Sequence, residues 1–376
     1  MTSESDVYRR LQKHIDNMPV AFPATRSGVE LRILRRLFTP EEAEVGLLLS
    51  AVPENLDRIH RRAGKAGLAR EELERILDRL VEKGAILGGG SGDRKRYSKA
   101  QLAVGMYELQ VDKLTKEFQQ DVAQYFQEGF GEAFHGPRTG QMRTIPVNAR
   151  FVPERRVGRY DDARQLIEGT AGPIAVMNCV CRQGKDLLDE PCQQTEARRV
   201  CMTFKGAARK LIAQGTAQAV SHEEALACAQ RAEEDGMVLQ PENTQDPSFI
   251  CFCCGCCCGV LSTAKQLPRP AEYLQSNYCA VVDPELCTEC ETCHSRCPMD
   301  ALDSSNGATR VEPHRCIGCG LCVTTCPSEA LSLVAKKQRT VPPRDQRALY
   351  RKIMRERFGV LRTARMVGNA LLGRRV

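Results

Sequence analysis

Two runs of four cysteines near the carboxyl-terminal end constrain this chain more than any other feature. Both runs have the spacing Cys-x-x-Cys-x-x-Cys-x-x-x-Cys-Pro. The cysteines are Cys287, Cys290, Cys293 and Cys297 in the first run, and Cys316, Cys319, Cys322 and Cys326 in the second. The repeated spacing predicts that this segment holds its thiols in two matching arrangements.

Thiolates at this spacing are typical of iron–sulfur ligation. Three of them can wrap one cube, while the fourth cysteine of each run is directed by the following segment to the other cube. On this pattern one [4Fe–4S] cluster takes Cys287, Cys290, Cys293 and Cys326. The second takes Cys316, Cys319, Cys322 and Cys297. Zinc also favours cysteine pairs, but two complete runs that both end in proline are difficult to explain as zinc knuckles.

The residues around the two runs repeat as well. An acidic lead-in precedes each run, Val282-Asp283-Pro284-Glu285 and Val311-Glu312-Pro313-His314, and Asp300-Ala301-Leu302 and Glu329-Ala330-Leu331 follow. With these motifs, residues 278–335 resemble a bacterial two-cluster ferredoxin domain of βαββαβ type. The resemblance implies that a hairpin and a helix from each half enclose two clusters, which carry electrons one at a time.

Ten further cysteines form a second system in the middle of the chain. They are Cys179, Cys181, Cys192, Cys201, Cys251, Cys253, Cys254, Cys256, Cys257 and Cys258. An isolated cysteine is usually a small buried hydrophobe, and we interpret Cys228 and Cys279 in that way. Six cysteines within residues 251–258 cannot all point into a core. They predict an additional metal centre, either one or two further iron–sulfur clusters or zinc bound by four thiolates, and the ferredoxin runs favour clusters.

The whole arrangement resembles a group of bacterial [4Fe–4S]-binding proteins. These proteins join an amino-terminal helical domain, a Cys-x-Cys-Arg element and a Cys-Cys-Gly-Cys-Cys-Cys element to a terminal ferredoxin domain. Here the two middle elements are Cys179-Val180-Cys181-Arg182 and residues 253–258. The resemblance covers most of the chain up to about residue 335, and it leaves the chemistry of the middle cysteines open.

The amino-terminal third predicts an α+β, winged-helix-like domain. Residues 1–28 read as an extended arm, and residues 29–99 as short helices followed by a glycine-tipped hairpin. Thr39 and Asn55 are expected helix caps, and the third helix should span 68–83. That helix carries acids and bases in near balance, so it would bring no net positive charge to phosphates. Protein docking is therefore favoured over DNA binding.

Four more regions complete the predicted multidomain organisation. Periodic apolar residues predict one long connecting helix over 100–130. Residues 131–277 are expected to form a mainly helical, Cys-rich domain, with helices at about 161–168, 196–215 and 221–236 and a strand at 144–147. The ferredoxin domain at 278–335 and a basic amphipathic tail at 336–376 follow.

The tail holds most of the excess positive charge. Residues 336–376 contain thirteen Lys and Arg against Asp345 and Glu356, whereas the whole chain has a net charge of only +7. A basic helix over about 344–372 could lie on an anionic membrane surface, dock on an acidic protein, or pack on its own chain. The sequence does not separate these three.

Cysteine usage and hydropathy indicate a compartment. Twenty cysteines, most of them at cofactor spacing, with no signal-peptide pattern, predict a reducing and anaerobic cytoplasm rather than a secreted disulfide framework. The longest apolar runs fall short of the roughly 20 residues that cross a bilayer. Any membrane contact should therefore be peripheral.

Motifs for organic-cofactor chemistry are missing from the sequence. It has no P-loop, no dinucleotide fingerprint, no nucleophile elbow and no zincin histidine pair. We therefore expect a ferredoxin-like subunit or adaptor that passes low-potential electrons to or from a partner oxidoreductase, rather than a stand-alone catalyst. It would dock through the winged helix or the tail. The alternative is a redox-sensing transcriptional regulator that uses the winged helix.

Overall fold

The computed structural model describes residues 4–64, 67–147, 159–305, 307–372 and 374–376. The chain forms two compact units. Met1–Pro137 and Arg351–Val376 make the first, and Arg138–Tyr350 makes the second. The second unit contains both cysteine systems, so the predicted regions 131–277 and 278–335 lie largely within one unit.

The first unit is mostly helical. Its elements before residue 138 are α1 (Glu4–Asp16), α2 (Val29–Leu37), α3 (Pro40–Gly46), α4 (Leu56–Ala63), α5 (Arg70–Glu82), β1 (Ile86–Gly89), β2 (Arg96–Lys99), α6 (Lys116–Tyr125) and α7 (Gly131–His135). The prediction of an extended arm over 1–28 is wrong for α1; residues 1–3 lie outside the described part. Tyr8, Leu11 and Ile15 of α1 are buried, because their spacing places them on one face of a helix.

The helices and hairpin expected after the arm are present as local structure. Thr39 caps α3 with a complete capping box to Glu42, and the Asn55 side chain accepts a hydrogen bond from Arg58 N at the start of α4. Strands β1 and β2 pair antiparallel, from Ile86 opposite Lys99 to Gly89 opposite Arg96. The resemblance of residues 29–99 to a winged helix stays a prediction.

One long helix over 100–130 was a wrong prediction. The backbone at Ala103, Val104 and Gly105 is not helical, and Asp112 has a positive φ of 64°. Helix α6 begins only where the Thr115 side chain accepts a hydrogen bond from Phe118 N. Apolar spacing continues across this break because the buried loop residues also face the core.

The second unit combines one larger sheet with short helices and small hairpins. Its elements are α8 (Ala163–Glu168), β3 (Ile174–Asn178), α9 (Val180–Leu187), β4 (Arg199–Phe204), α10 (Lys205–Ala213), β5 (Gln218–Val220), α11 (His222–Glu234), β6 (Val238–Pro241), β7 (Phe249–Cys253), α12 (Gly259–Lys265), α13 (Pro270–Tyr273), β8 (Tyr278–Val282), α14 (Thr292–Arg296), β9 (Leu302–Asp303), β10 (Arg310–Val311) and β11 (Leu331–Ala335). The larger sheet has five strands in the order β5-β3-β4-β7-β6.

That sheet corrects the prediction of a mainly helical middle domain. The helix expected over 196–215 begins only at Lys205, because residues 199–204 form β4. Val200, Met202 and Phe204 are buried on alternate positions of this strand, a period of two that the helical interpretation missed. The expected strand at 144–147 is reduced to a single bridge between Ile145 and Leu239. Helix α11 lies where a helix was expected, with Ser221 in a capping box.

The ferredoxin-like segment folds as two strand pairs. Strand β8 pairs antiparallel with β11, and β9 pairs with β10. Helix α14 begins after Cys290 and contains Cys293, whereas residues 321–325 of the second run form only turns. One hydrophobic core joins this segment to the five-stranded sheet, so both cysteine systems share a single folded body.

The tail forms α15 (Gln346–Leu371), interrupted at Gly359, which has φ 76°. After the interruption Leu361 is 88% exposed and Leu371 78% exposed. None of the helices in the described part of the chain combines the length and apolar content that a membrane crossing needs.

Candidate metal centres

The two cysteine runs place left-handed residues at equivalent positions. In the first run, Glu289, Glu291 and Asp300 have positive φ of 55°, 54° and 48°. The equivalent positions of the second run, Gly318, Gly320 and Glu329, have positive φ of 66°, 79° and 55°. The first two left-handed residues of each run turn the chain between successive cysteines, so that each loop curls around its own three thiols.

Four cysteines line a cavity beside the first loop. They are Cys287, Cys290, Cys293 and Cys326. Thr288, Thr309 and Pro327 also line this cavity. Cys290 is exposed and Cys293 is buried, so one side of this cavity reaches the surface.

Four other cysteines line the cavity beside the second loop. They are Cys297, Cys316, Cys319 and Cys322. Leu302, Val311 and Ile317 add apolar walls to this cavity. Each cavity thus has three cysteines from one run and the last cysteine of the other run.

The second cavity is the more buried of the two. Cys316, Cys319 and Cys322 are all buried, and burial raises the pKa of Cys319 to about 12. The pKa of Cys316 moves the other way, to about 6, because a hydrogen bond from Cys279 outweighs the effect of burial. Ala280 N also donates to Cys316 Sγ at 3.4 Å.

Cys279 is a residue whose position the sequence analysis missed. It was interpreted as an isolated small hydrophobe, yet it contacts the cavity-lining Cys316. Its place on β8, opposite Val334 of β11, brings it to the second cavity, and no spacing in the sequence indicates this. Cys228 is half-buried, and its Sγ lies 3.7 Å from Arg199 O.

The ten middle cysteines divide into two sets. The first, which we call the four-thiol group, consists of Cys192, Cys254, Cys256 and Cys257, whose Sγ atoms all lie within 4.8 Å of one another. Cys254 and Cys257 are buried, Cys192 is half-buried and Cys256 is exposed. A hydrogen bond from Cys257 lowers the pKa of Cys254 to about 5.

The other six cysteines form a closed ring of thiol contacts, the six-thiol ring. In order around the ring they are Cys179, Cys181, Cys258, Cys253, Cys251 and Cys201. Hydrogen bonds between neighbours are the main cause of their pKa shifts, and the shifts alternate. The pKa is lowered at Cys179, Cys251 and Cys258, and raised at the three thiols between them.

The sheet explains how the ring assembles. Strand β4 places Cys201 directly opposite Cys251 of β7, and Cys253 lies two residues further along β7 on the same face. Cys179 follows β3, which pairs with the other side of β4. Adjacent strands therefore bring cysteines that are distant in the sequence together at one end of the sheet.

Arg182 is a charged residue that interacts with both sets of thiols. Its side chain is fully buried, and its Nη2 donates to Met237 Sδ at 2.7 Å and to Phe252 O at 3.2 Å. Burial disfavours the charged form, yet the negative charge of Cys179 and Cys254 and a contact to Cys192 outweigh it and raise the pKa of Arg182. Its Nε and Nη1 have no hydrogen-bond partner.

The two cysteine systems touch at Gly255 and Pro298. Gly255 of the cysteine-rich loop packs on Pro298, which follows Cys297; a Cβ at position 255 would lie 3.4 Å from Pro298 Cβ. The four-thiol group is therefore next to the backbone that carries Cys297 into the second cavity.

Comparison with known proteins agrees with this geometry for one part of the chain. Residues 279–327 match the family model of the 4Fe-4S dicluster domain, and this segment contains the eight cysteines of the two runs. Neither a curated protein nor a solved structure matches the chain significantly. The matched segment and the grouped cysteines support an iron–sulfur protein with an electron-transfer role.

Proposed function

We propose that this chain is a ferredoxin-like electron carrier with two [4Fe–4S] clusters, serving a partner oxidoreductase. Cys287, Cys290, Cys293 and Cys326 would hold the first cluster. Cys316, Cys319, Cys322 and Cys297 would hold the second. Bound clusters would supply one-electron chemistry at low potential, and the protein supplies ligation, burial and hydrogen bonds.

The observation that carries this proposal is the composition of the two cavity walls. Four cysteines line each wall, which suits a cluster bound by four thiolates. The first wall also includes the exposed Glu291. The Sγ atoms of the four-thiol group all lie within 4.8 Å of one another. Among the described residues, neither cavity brings three thiols that close together. The wider spread fits a cube better than a single ion.

The difference in exposure suggests a direction for electron entry. Because Cys290 is exposed, the first cluster would lie next to solvent, whereas the second cluster would lie behind buried cysteines. An external partner would therefore exchange electrons with the first cluster. The second cluster would pass them inward, toward the thiols behind Gly255 and Pro298.

Charge at the exposed edge indicates the kind of partner surface that fits there. Asp283, Glu285, Glu289 and Glu291 are all exposed around the first loop. A basic patch on the oxidoreductase would complement them, and their effect on the association rate would weaken with salt. Docking through the winged-helix-like region or the basic tail, on an acidic protein or an anionic membrane surface, remains part of the proposal.

The six-thiol ring extends the proposal to a further iron–sulfur cluster. Its alternating lowered and raised pKa values mean that three of its thiols accept hydrogen bonds from the other three. Metal ligation would replace these thiol protons, since thiolates are the ligands. Six ligands around one ring exceed what a single tetrahedral ion needs.

The alternative function is an iron–sulfur transcriptional regulator, and contacts of α5 argue against it. Arg79 and Lys83 pair with Glu42, and Arg75 pairs with Glu72. These cations are already neutralised by acids of the same unit, so phosphate binding would have to break the pairs. A gel shift against genomic DNA that persists at physiological salt would favour the regulator.

Anaerobic purification with iron and sulfide counting tests the proposed function. We expect at least about eight irons and eight sulfides per chain, the content of two cubes, and reversible bleaching by a low-potential reductant. The reduced protein should then reduce a one-electron acceptor without a lag. A chain that carries zinc in place of these irons, or that cannot be reduced, would contradict the proposal.

A further inference from the structure

The four-thiol group has the dimensions of a site for one metal ion. Cys192 Sγ lies 3.7 Å from the Sγ atoms of Cys254 and Cys256, and Cys256 Sγ lies 3.6 Å from that of Cys257. A tetrahedral ion with metal–sulfur bonds of about 2.3 Å separates its ligands by about 3.8 Å. The ligands of a [4Fe–4S] cube lie farther apart, at about 6 Å.

We propose that Cys192, Cys254, Cys256 and Cys257 bind a single thiophilic divalent ion, separately from the iron–sulfur clusters. Three ligands come from the turn that follows β7, and Cys192 comes from the loop after α9. Exposed Cys256 gives the ion a path from solvent, while buried Cys254 and Cys257 close the other side. The inference does not depend on electron transfer by the ferredoxin-like segment.

Arg182 provides an independent indication of negative charge at this place. No carboxylate of the described residues pairs with its fully buried guanidinium, and Nε and Nη1 lack hydrogen-bond partners. Burying a cation without a counter-charge is strongly unfavourable. Four thiolates around a divalent ion carry a net charge of about −2, which would compensate Arg182 across its contact with the thiols.

The position of the group gives the ion a structural role. It joins the loop at Cys192 to the cysteine-rich turn, and Gly255 of that turn packs on Pro298. Because metal–thiolate bonds contribute directly to folding free energy, the ion would hold this turn against the ferredoxin-like segment. Tetrathiolate sites accept either zinc or iron, so the test separates the two.

The experiment compares full-length protein, purified anaerobically with its iron, with Cys192→Ser and with Cys228→Ser as the matched control. Cys228 is also half-buried but belongs to neither thiol set. Metal content per chain is measured by mass spectrometry and cluster content by visible absorbance. We expect Cys192→Ser to lose one equivalent of zinc or iron with cluster absorbance kept, and Cys228→Ser to lose none.

Cobalt substitution keeps the test decisive if Cys192→Ser folds poorly. Wild-type protein loaded with Co²⁺ should show the absorption of one tetrahedral, thiolate-bound cobalt, and zinc should displace it. Oxidation reveals which ion is native, because single-site iron gives a high-spin ferric resonance and zinc gives none. Either ion supports the proposal. Loss of several irons together from Cys192→Ser, or one-equivalent cobalt binding that survives in this variant, would overturn it.

Discussion

Gly318→Ala should damage the second cavity much more than an equivalent change elsewhere in the same segment. Gly318 has φ 66°, and a Cβ built on it would lie 2.2 Å from Tyr278 O. Tyr278 belongs to β8 and pairs with Ala335 of β11, so its carbonyl cannot move without disturbing that ladder. An alanine held in the left-handed conformation lowers stability by roughly 1–2 kcal/mol. Overpacking against Tyr278 O lowers it by about 1–3 kcal/mol more.

Gly307→Ala is the matched control for this variant. Gly307 also has a positive φ of 96°, but the nearest atom to a Cβ there is Glu289 Oε1 at 3.5 Å. The control should therefore lose only the stability that backbone strain costs. The stabilities of the two variants should differ by the cost of the clash, about 1–3 kcal/mol.

The assay is the thermal loss of cluster absorbance, together with iron per chain, for both variants under anaerobic conditions. We expect Gly318→Ala to lose the cluster of the second cavity, or to release it at a lower temperature than Gly307→Ala. Equal iron content and equal midpoints in the two variants would refute the reasoning from the close approach to Tyr278.

Three further predictions concern charge. The more buried second cluster should have the lower potential, because adding an electron to it raises a poorly solvated charge; a redox titration with one indistinguishable step would contradict this. Burial lowers the pKa of Lys99 from 10.5 to about 7, so the unfolded chain binds an extra proton between these values. Stability should rise with pH across that window by up to about 1.4 kcal/mol per unit, and Lys99→Met should flatten the rise in denaturant titrations. Arg182→Met should destabilise the second unit only while the thiols are metal-bound, since it removes their buried counter-charge; equal destabilisation of metal-free protein would count against this role.

The cysteine runs were predictable because their information is local. Three-residue spacing and the closing proline determine which thiols share a loop, and the structure repeats the same left-handed positions in both loops. The division of the middle cysteines was not predictable in this way. It depends on the register that places Cys201 opposite Cys251, and on a remote loop that carries Cys192 to the cysteine-rich turn.

The predictions of local structure were wrong where the spacing of apolar residues was misinterpreted. Residues 199–204 form a strand because alternate side chains are buried, although helix-favouring residues follow directly. The break before α6 was missed because apolar residues continue at helical spacing through Gly105 and Asp112. Helix α1 was missed because the prolines after it suggested an extended arm. In each case tertiary packing decided the local structure.

The crossed arrangement of ligands is the central claim, and cluster loss in paired serine variants tests it most directly. The remaining electron paramagnetic resonance spectrum of Cys326→Ser should match that of Cys290→Ser, because both remove a ligand from the first cavity. The spectrum of Cys297→Ser should match that of Cys319→Ser, since both line the second cavity. If the spectrum of Cys326→Ser instead matches that of Cys319→Ser, each run binds its own cluster and the ligands are not crossed.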